Sequence, residues 1–297
     1  MDKHFYNEAS AKKLGWEPSW FGEKYFDDKL VRAIKKWQRA RGLAPDGLCG
    51  PMTFRRLWTE RQEVVGDYCR DEAPHYSNYI VYNGEFHPIK WDKFVLWSEE
   101  GGLEAKRGHY YDYSGRPKRK IRYFVNHWDV CLSSKSCQNV LDKRGISVHF
   151  LIDNDGTIYQ LLDMQHRAWH AGNSTVNTKS VGVEISNAFY PKYQDWYTKR
   201  FGPRPVITDA VVHGRTLETH LGFYPVQLDA AKALWKAVSL ACKVPLVAPM
   251  TSEGLDTGVN YDVYKGRFSG FFNHYNVTAN KIDCAGLDLA NMLEEIK

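Results

Sequence analysis

Apolar positions along the chain change period once, and that change divides it. From Asp27 the run DDKLVRAIKKWQRARGL spaces Leu30, Ile34, Trp37 and Leu43 at nearly helical intervals. Asp27 or Asp28 is placed to cap its first turn and Gly42 to end it. Ala44-Pro45-Asp46-Gly47 is turn chemistry, and Gly50-Pro51-Met52-Thr53 opens a second, short helix carrying Phe54, Leu57 and Trp58. The first sixty residues therefore read as helical, and the polar, charged stretch Thr59 to Arg70 as a linker. Strand-like runs follow at Tyr79–Tyr82 and Lys93–Trp97, while Glu99 to Lys120, rich in Gly, charge and Tyr, reads as a surface loop or hairpin.

From Ile121 the pattern sharpens. Arg122 to Val125 is a buried-type strand that delivers His127 at its end, and Ser133 to Lys143 has helical spacing. Val148–Ile152 and Thr157–Leu161, joined through Asn154-Asp155-Gly156, predict a β-hairpin. Ser180–Ile185 is a further core strand, Val226–Leu246 a long amphipathic helix, and Leu287–Ile296 a final helix. Strands interleaved with helices predict an α/β domain, a mixed central sheet flanked by helices, over residues 67–297. A small all-α domain occupies residues 1–66.

Composition narrows the class. At 297 residues, 43% hydrophobic and 25% charged, the chain can bury a substantial core and is neither disordered nor a disulfide-stapled scaffold. Its most apolar stretch, Ala230 to Met250, is interrupted by Lys232, Lys236 and Lys243, so no membrane span is expected. The net charge of +5, from 40 basic and 35 acidic residues, suits an acidic polymer but does not call for nucleic acid. Aromatic residues make up 14%, including 10 Trp and 18 Tyr, which serves either a sugar-binding cleft or an ordinary core. Met1-Asp2-Lys3-His4-Phe5 opens no apolar signal segment, so synthesis is expected to end in the cytoplasm.

Among eleven His, two stand at strand ends near other candidate ligands. His127 follows the strand from Arg122, and His274 follows the apolar Phe271-Phe272, with Asp283 and Cys284 shortly beyond. Two His with one carboxylate or thiolate form a common catalytic zinc set that leaves a coordination position for water.

Residues 121–290 resemble the zinc-dependent N-acetylmuramoyl-L-alanine amidases, which share a fold with peptidoglycan recognition proteins and many phage endolysins. The resemblance rests on motifs in order: Tyr123-Phe124-Val125-Asn126-His127, Ser147-Val148-His149-Phe150 leading to Asp155-Gly156-Thr157, Ala168-Trp169-His170-Ala171-Gly172, Ser180-Val181-Gly182-Val183-Glu184-Ile185, then His274 with Lys281-Ile282-Asp283. It implies Zn2+ held by His127, His274 and Asp283, with Cys284 the alternative third ligand because Ala285-Gly286 follows it. Glu184 matches the family's proton-transferring carboxylate and Lys281 its oxyanion-stabilising cation. Trp169 and His170 are expected to line the substrate cleft, with Asn187 either contacting the stem peptide or holding a turn. His149 is expected to be structural. Cys131 and Cys137 stand where several recognition proteins carry a disulfide, and free thiols fit equally.

Ala33-Ile34-Lys35-Lys36-Trp37-Gln38 through Leu43, then Asp46-Gly47-Leu48-Cys49-Gly50-Pro51-Met52-Thr53, resembles the three-helix peptidoglycan-binding domain of cell-wall hydrolases. Together the two resemblances imply a monomeric, modular phage endolysin that cuts the amide between N-acetylmuramic acid and L-alanine in the host cell wall. A non-catalytic recognition protein, a bacterial autolysin or recycling amidase, and a peptidase of the stem are the alternatives.

Overall fold

The computed structural model describes residues 2–65 and 79–297. Helix α1 spans Lys3–Leu14 and α2 spans Asp28–Arg39. Asp27 caps α2, its carboxylate accepting from the backbone N–H of Lys29 and Leu30. The helix stops at Arg39, before the expected Gly42, so Leu43 lies off it in the following turn. Buried Gln38 ties that turn down: its amide donates to Asp46 and Thr53 and accepts from the Gly47 N–H at 2.9 Å.

Helix α3, Pro51–Val65, is longer than its sequence suggests. The expected linker is helical over Thr59–Val65, because its charges have partners: Glu60 meets Arg41 at 2.7 Å, Arg56 at 2.9 Å and Lys192 at 2.7 Å. The rest of that stretch, with Cys69 and the expected 66/67 boundary, lies outside the described residues.

Strands β1 (Tyr79–Tyr82) and β2 (Glu85–Pro88) form a hairpin, and β3 (Phe94–Leu96) joins the main sheet. In the loop-rich stretch after it, β4 (Tyr110–Tyr111) pairs with the distant β8 (Arg167–Ala168) instead of making a local hairpin. The remaining main strands are β5 (Tyr123–Trp128), β6 (Phe150–Ile152), β7 (Ile158–Gln160), β9 (Ser180–Ile185) and β10 (Gly270–Asn273). The six-stranded order is β10-β5-β9-β6-β7-β3, with only the β6–β7 hairpin antiparallel.

Every residue of β5 and β9 is buried, and their side chains alternate between two apolar layers. Phe124, Val181, Val183 and Ile185 pack with Leu234 and Trp235 of α7 (Pro225–Cys242) and with α9 (Leu289–Glu294). The opposite face meets α4 (Ser134–Arg144), α5 (Ser174–Lys179), the short α8 (Tyr261–Tyr264) and the N-terminal helices. Helix α7 ends four residues before Leu246, since Lys243 takes φ +57 and Pro245 follows. Between β9 and α7 lie α6 (Gln194–Phe201) and two-residue strands, anchored by buried Arg204, which donates to the carbonyls of Ser186 and Gly222 at 2.8 Å. Cys131 and Cys137 are free, buried thiols. Among the described residues no helix is long and apolar enough to cross a membrane.

Candidate metal centre and cleft

Strand register brings the site together. His127 on β5 pairs directly with Glu184 on β9, so both side chains leave the same sheet face. Asn126 pairs with Asn273 at the end of β10, which sets His274 in the next position, beside His127. The segment after His274 returns Asp283 to the same point.

His127 Nδ1, His274 Nδ1 and Asp283 Oδ2 lie 2.9, 3.1 and 3.0 Å from one another. Donors about 2.0–2.2 Å from one tetrahedral ion would stand roughly 3.3–3.6 Å apart, so a small adjustment would seat a divalent ion. The outward nitrogens have partners that favour this use of the inner ones. His274 Nε2 donates to the Ala171 carbonyl at 3.3 Å, and His127 Nε2 donates to His170 Nδ1 at 2.9 Å. His170 in turn donates from Nε2 to Ser180 Oγ at 3.1 Å. Each inner Nδ1, beside Asp283 Oδ2, is thereby the nitrogen available to a metal ion. Burial, reinforced by His274, pulls His127 down to about 3, so it is neutral at ordinary pH. Burial alone would raise Asp283, but His274 and His127 hold it well below the usual carboxylate range. Cys284 faces the α7 layer of the core, where burial raises its thiol, and it does not join the group.

Glu184 is 4% exposed, and its Oε2 has no hydrogen-bond partner among the described residues. Burial pushes it up to about 8, against the opposing charge of Arg55. Burial lowers Lys281, whose side chain lines a cleft of about 750 Å3 together with Arg144, Trp169, His170, Tyr264 and His274. Trp169 and His170 sit in the wall of this cleft, and His170 also accepts from His127 Nε2. His149 is structural: Nδ1 accepts from the Gly182 N–H at 3.2 Å, and Nε2 donates to the His166 carbonyl at 3.0 Å.

Asn187 does not reach the cleft. It is fully buried, its amide donating to the Leu221 carbonyl at 2.7 Å and accepting from the Phe189 N–H at 2.9 Å. It is a turn residue. A second cluster, Asp129 with Cys131 and Cys137, has metal-like spacing. Its carboxylate is committed to the N–H groups of Cys131 and Asn187 at 2.9 Å and to Ser186 Oγ at 3.0 Å.

Sequence reasoning missed Gly182 and Arg55. A Cβ on Gly182 would stand 2.6 Å from the His170 ring, so the glycine makes room for that imidazole. The Gly in Ser-Val-Gly-Val-Glu was the available signal, since a strand interior gives little reason for one.

Residues 117–248 match the N-acetylmuramoyl-L-alanine amidase family and residues 12–57 the peptidoglycan binding domain family. The first match ends before His274 and Asp283. A search of curated proteins finds no match. Among solved structures, the chain is similar to the endolysin N-acetylmuramoyl-L-alanine amidase LysCS from Clostridium intestinale (15% identity, TM-score 0.37, 69% of this chain and 93% of that one). A mutant endolysin from Bacillus subtilis gives 15%, 0.37, 69% and 98%. The Staphylococcus aureus hydrolase AmiA, solved with its ligand, gives 11%, 0.42, 70% and 84%. Overlaps this loose carry no argument about chemistry. The two family matches do: this chain carries an N-acetylmuramoyl-L-alanine amidase domain behind a peptidoglycan-binding domain.

Proposed function

We propose that the protein is a zinc-dependent amidase that cleaves the bond between the lactyl group of N-acetylmuramic acid and L-alanine, with residues 67–297 catalytic and 1–66 holding the wall. The observation that carries this reading is the convergence of His127, His274 and Asp283 beside buried Glu184, with His274 in the wall of an open cleft. A zinc ion held by those three donors would supply Lewis acidity toward the scissile carbonyl and toward water.

Glu184 takes the proton of the attacking water and returns it to the departing amino group of L-alanine. Lys281 offers its ammonium to the negative charge that grows on the carbonyl oxygen. Val148 precedes His149 where some members of the resembled family carry a Tyr, so Glu184 handles the proton without a phenol. Trp169 supplies an apolar wall for the muropeptide. The helical domain raises the local concentration of polymer at the cleft. This pairing of holder and cutter suits a lytic enzyme of the endolysin kind, acting on the wall of a host bacterium.

Turbidity of purified wall, followed with chelator and then added zinc, tests the reading. Clearing that stops with chelator, returns with zinc and releases free L-alanine amino termini supports it. Binding without new amino termini would leave a recognition protein, and cuts within the stem would leave a peptidase.

A further inference from the structure

The wall-binding helices reach into the catalytic centre. Arg55, Arg56, Thr59 and Glu60 fall on one face of α3, and that face docks on the amidase domain. Thr59 Oγ1 donates to the Val130 carbonyl at 2.7 Å, and the Arg56 guanidinium lies 3.0 Å from the centre of the Tyr190 ring. Glu60 meets Lys192 at 2.7 Å. These contacts leave Arg55 aimed inward. Its Nη2 stands 3.9 Å from Glu184 Oε1, with the two side chains only 14% and 6% exposed. Neither Arg55 Nε nor Glu184 Oε2 has a hydrogen-bond partner among the described residues.

This is not the geometry of a structural ion pair. Bidentate Arg–carboxylate pairs close to about 2.7–2.9 Å and occupy both oxygens. Here the guanidinium stands one step back, supplying charge while leaving the carboxylate oxygens open to another partner. A guanidinium keeps its charge at any working pH, which a buried ammonium need not. Arg55 also borders a small cavity of about 120 Å3 that it shares with Arg144, Lys281 and Asp283.

We propose that the peptidoglycan-binding domain completes the active site: Arg55 is a positioning residue that acts through Glu184, orienting its carboxylate toward the His127–His274–Asp283 group. The domain is then a component of catalysis as well as a tether. This rests on the amidase reading above, and deepens it.

The test uses the full-length zinc protein and a soluble muramoyl tripeptide, a substrate too small to need wall tethering. Arg55→Met should lower kcat roughly 10- to 100-fold, below the full contribution of a general base, with KM changed less than about twofold. Arg55→Lys should recover part of the loss. In a Glu184→Gln background, Arg55→Met should cost nothing further in kcat, because the group it acts through is gone. Zinc content and melting temperature of each variant report folding, and the Glu184→Gln pair still decides if Arg55→Met is destabilised.

Wild-type kcat in Arg55→Met, a raised KM with intact kcat, or an undiminished loss in the Glu184→Gln background each overturn the proposal. An inactive wild type overturns the amidase reading and this inference together. An active wild type with indifferent variants overturns this inference alone.

Discussion

Gly182→Ala should damage a metal site it never touches. An added Cβ would lie 2.6 Å from both Cε1 and Nδ1 of His170 and 3.0 Å from Cγ. Carbon contacts settle at about 3.5–4.0 Å, so the ring must retreat by roughly 1 Å. It has little room, being only 9% exposed and held by His127 on one side and Ser180 on the other. A displacement of that size is about a third of the 2.9 Å His127–His170 bond and ends it as a hydrogen bond. Overpacking of this kind costs about 1–3 kcal/mol of stability. Losing the partner that orients a metal-bound His typically costs about 10- to 100-fold in affinity or activity. Zinc affinity measured by competition with a chromophoric chelator should fall in that range, and excess zinc should restore part of the rate. His170→Ala in the same chain removes the clash, so the double variant should be more stable than the two single costs predict. Wild-type zinc affinity in Gly182→Ala, or strictly additive stability losses, would refute the reasoning.

Other outcomes follow from the same geometry. Glu184→Gln should keep stoichiometric zinc by elemental analysis while turnover falls about 10²- to 10⁴-fold; near-normal rates would remove Glu184 from proton transfer. Asp283→Ala should lose tight zinc binding, whereas Cys284→Ala should keep it; the reverse pattern in a dialysis assay would make the thiol the third donor. Burial holds Glu184 up at about 8, above its usual 4.5. The folded state thus keeps a proton that the unfolded chain releases, giving stability that is full below about pH 4.5 and lost as pH rises through about 8. Glu184→Gln should flatten that decline in metal-free protein by up to about 1.4 kcal/mol per pH unit, read by urea unfolding at several pH values. Parallel pH dependences would show that Glu184 is ordinarily ionised when buried.

The strands carrying the site were legible because each is a short apolar run with its chemistry in or just after it. Ser180–Ile185 is a strand over its whole predicted length, and His127 and Glu184 meet on it and its neighbour. What sequence could not give was sheet order. The His127–His170 bond joins residues on segments 43 positions apart, and nothing local announces it. Polar residues were the hardest to place. Asn187 read as either a stem-peptide contact or a turn residue, and it bonds the Phe189 N–H within its own turn. Glu60 read as linker charge, yet it is shared by Arg41, Arg56 and Lys192. A charged side chain looks the same on paper whether it faces water or a neighbouring domain.

Leu30, Ile34, Phe54 and Leu57 of the N-terminal helices belong to one apolar cluster with Val140, Leu141 and Leu151 of the amidase domain. Interiors fused in that way melt as a single cooperative block, so calorimetry should record one endotherm for the chain. Grafting a foreign targeting module in place of these helices would then strip an oily flank bare, and such chimeras should aggregate unless that flank is redesigned.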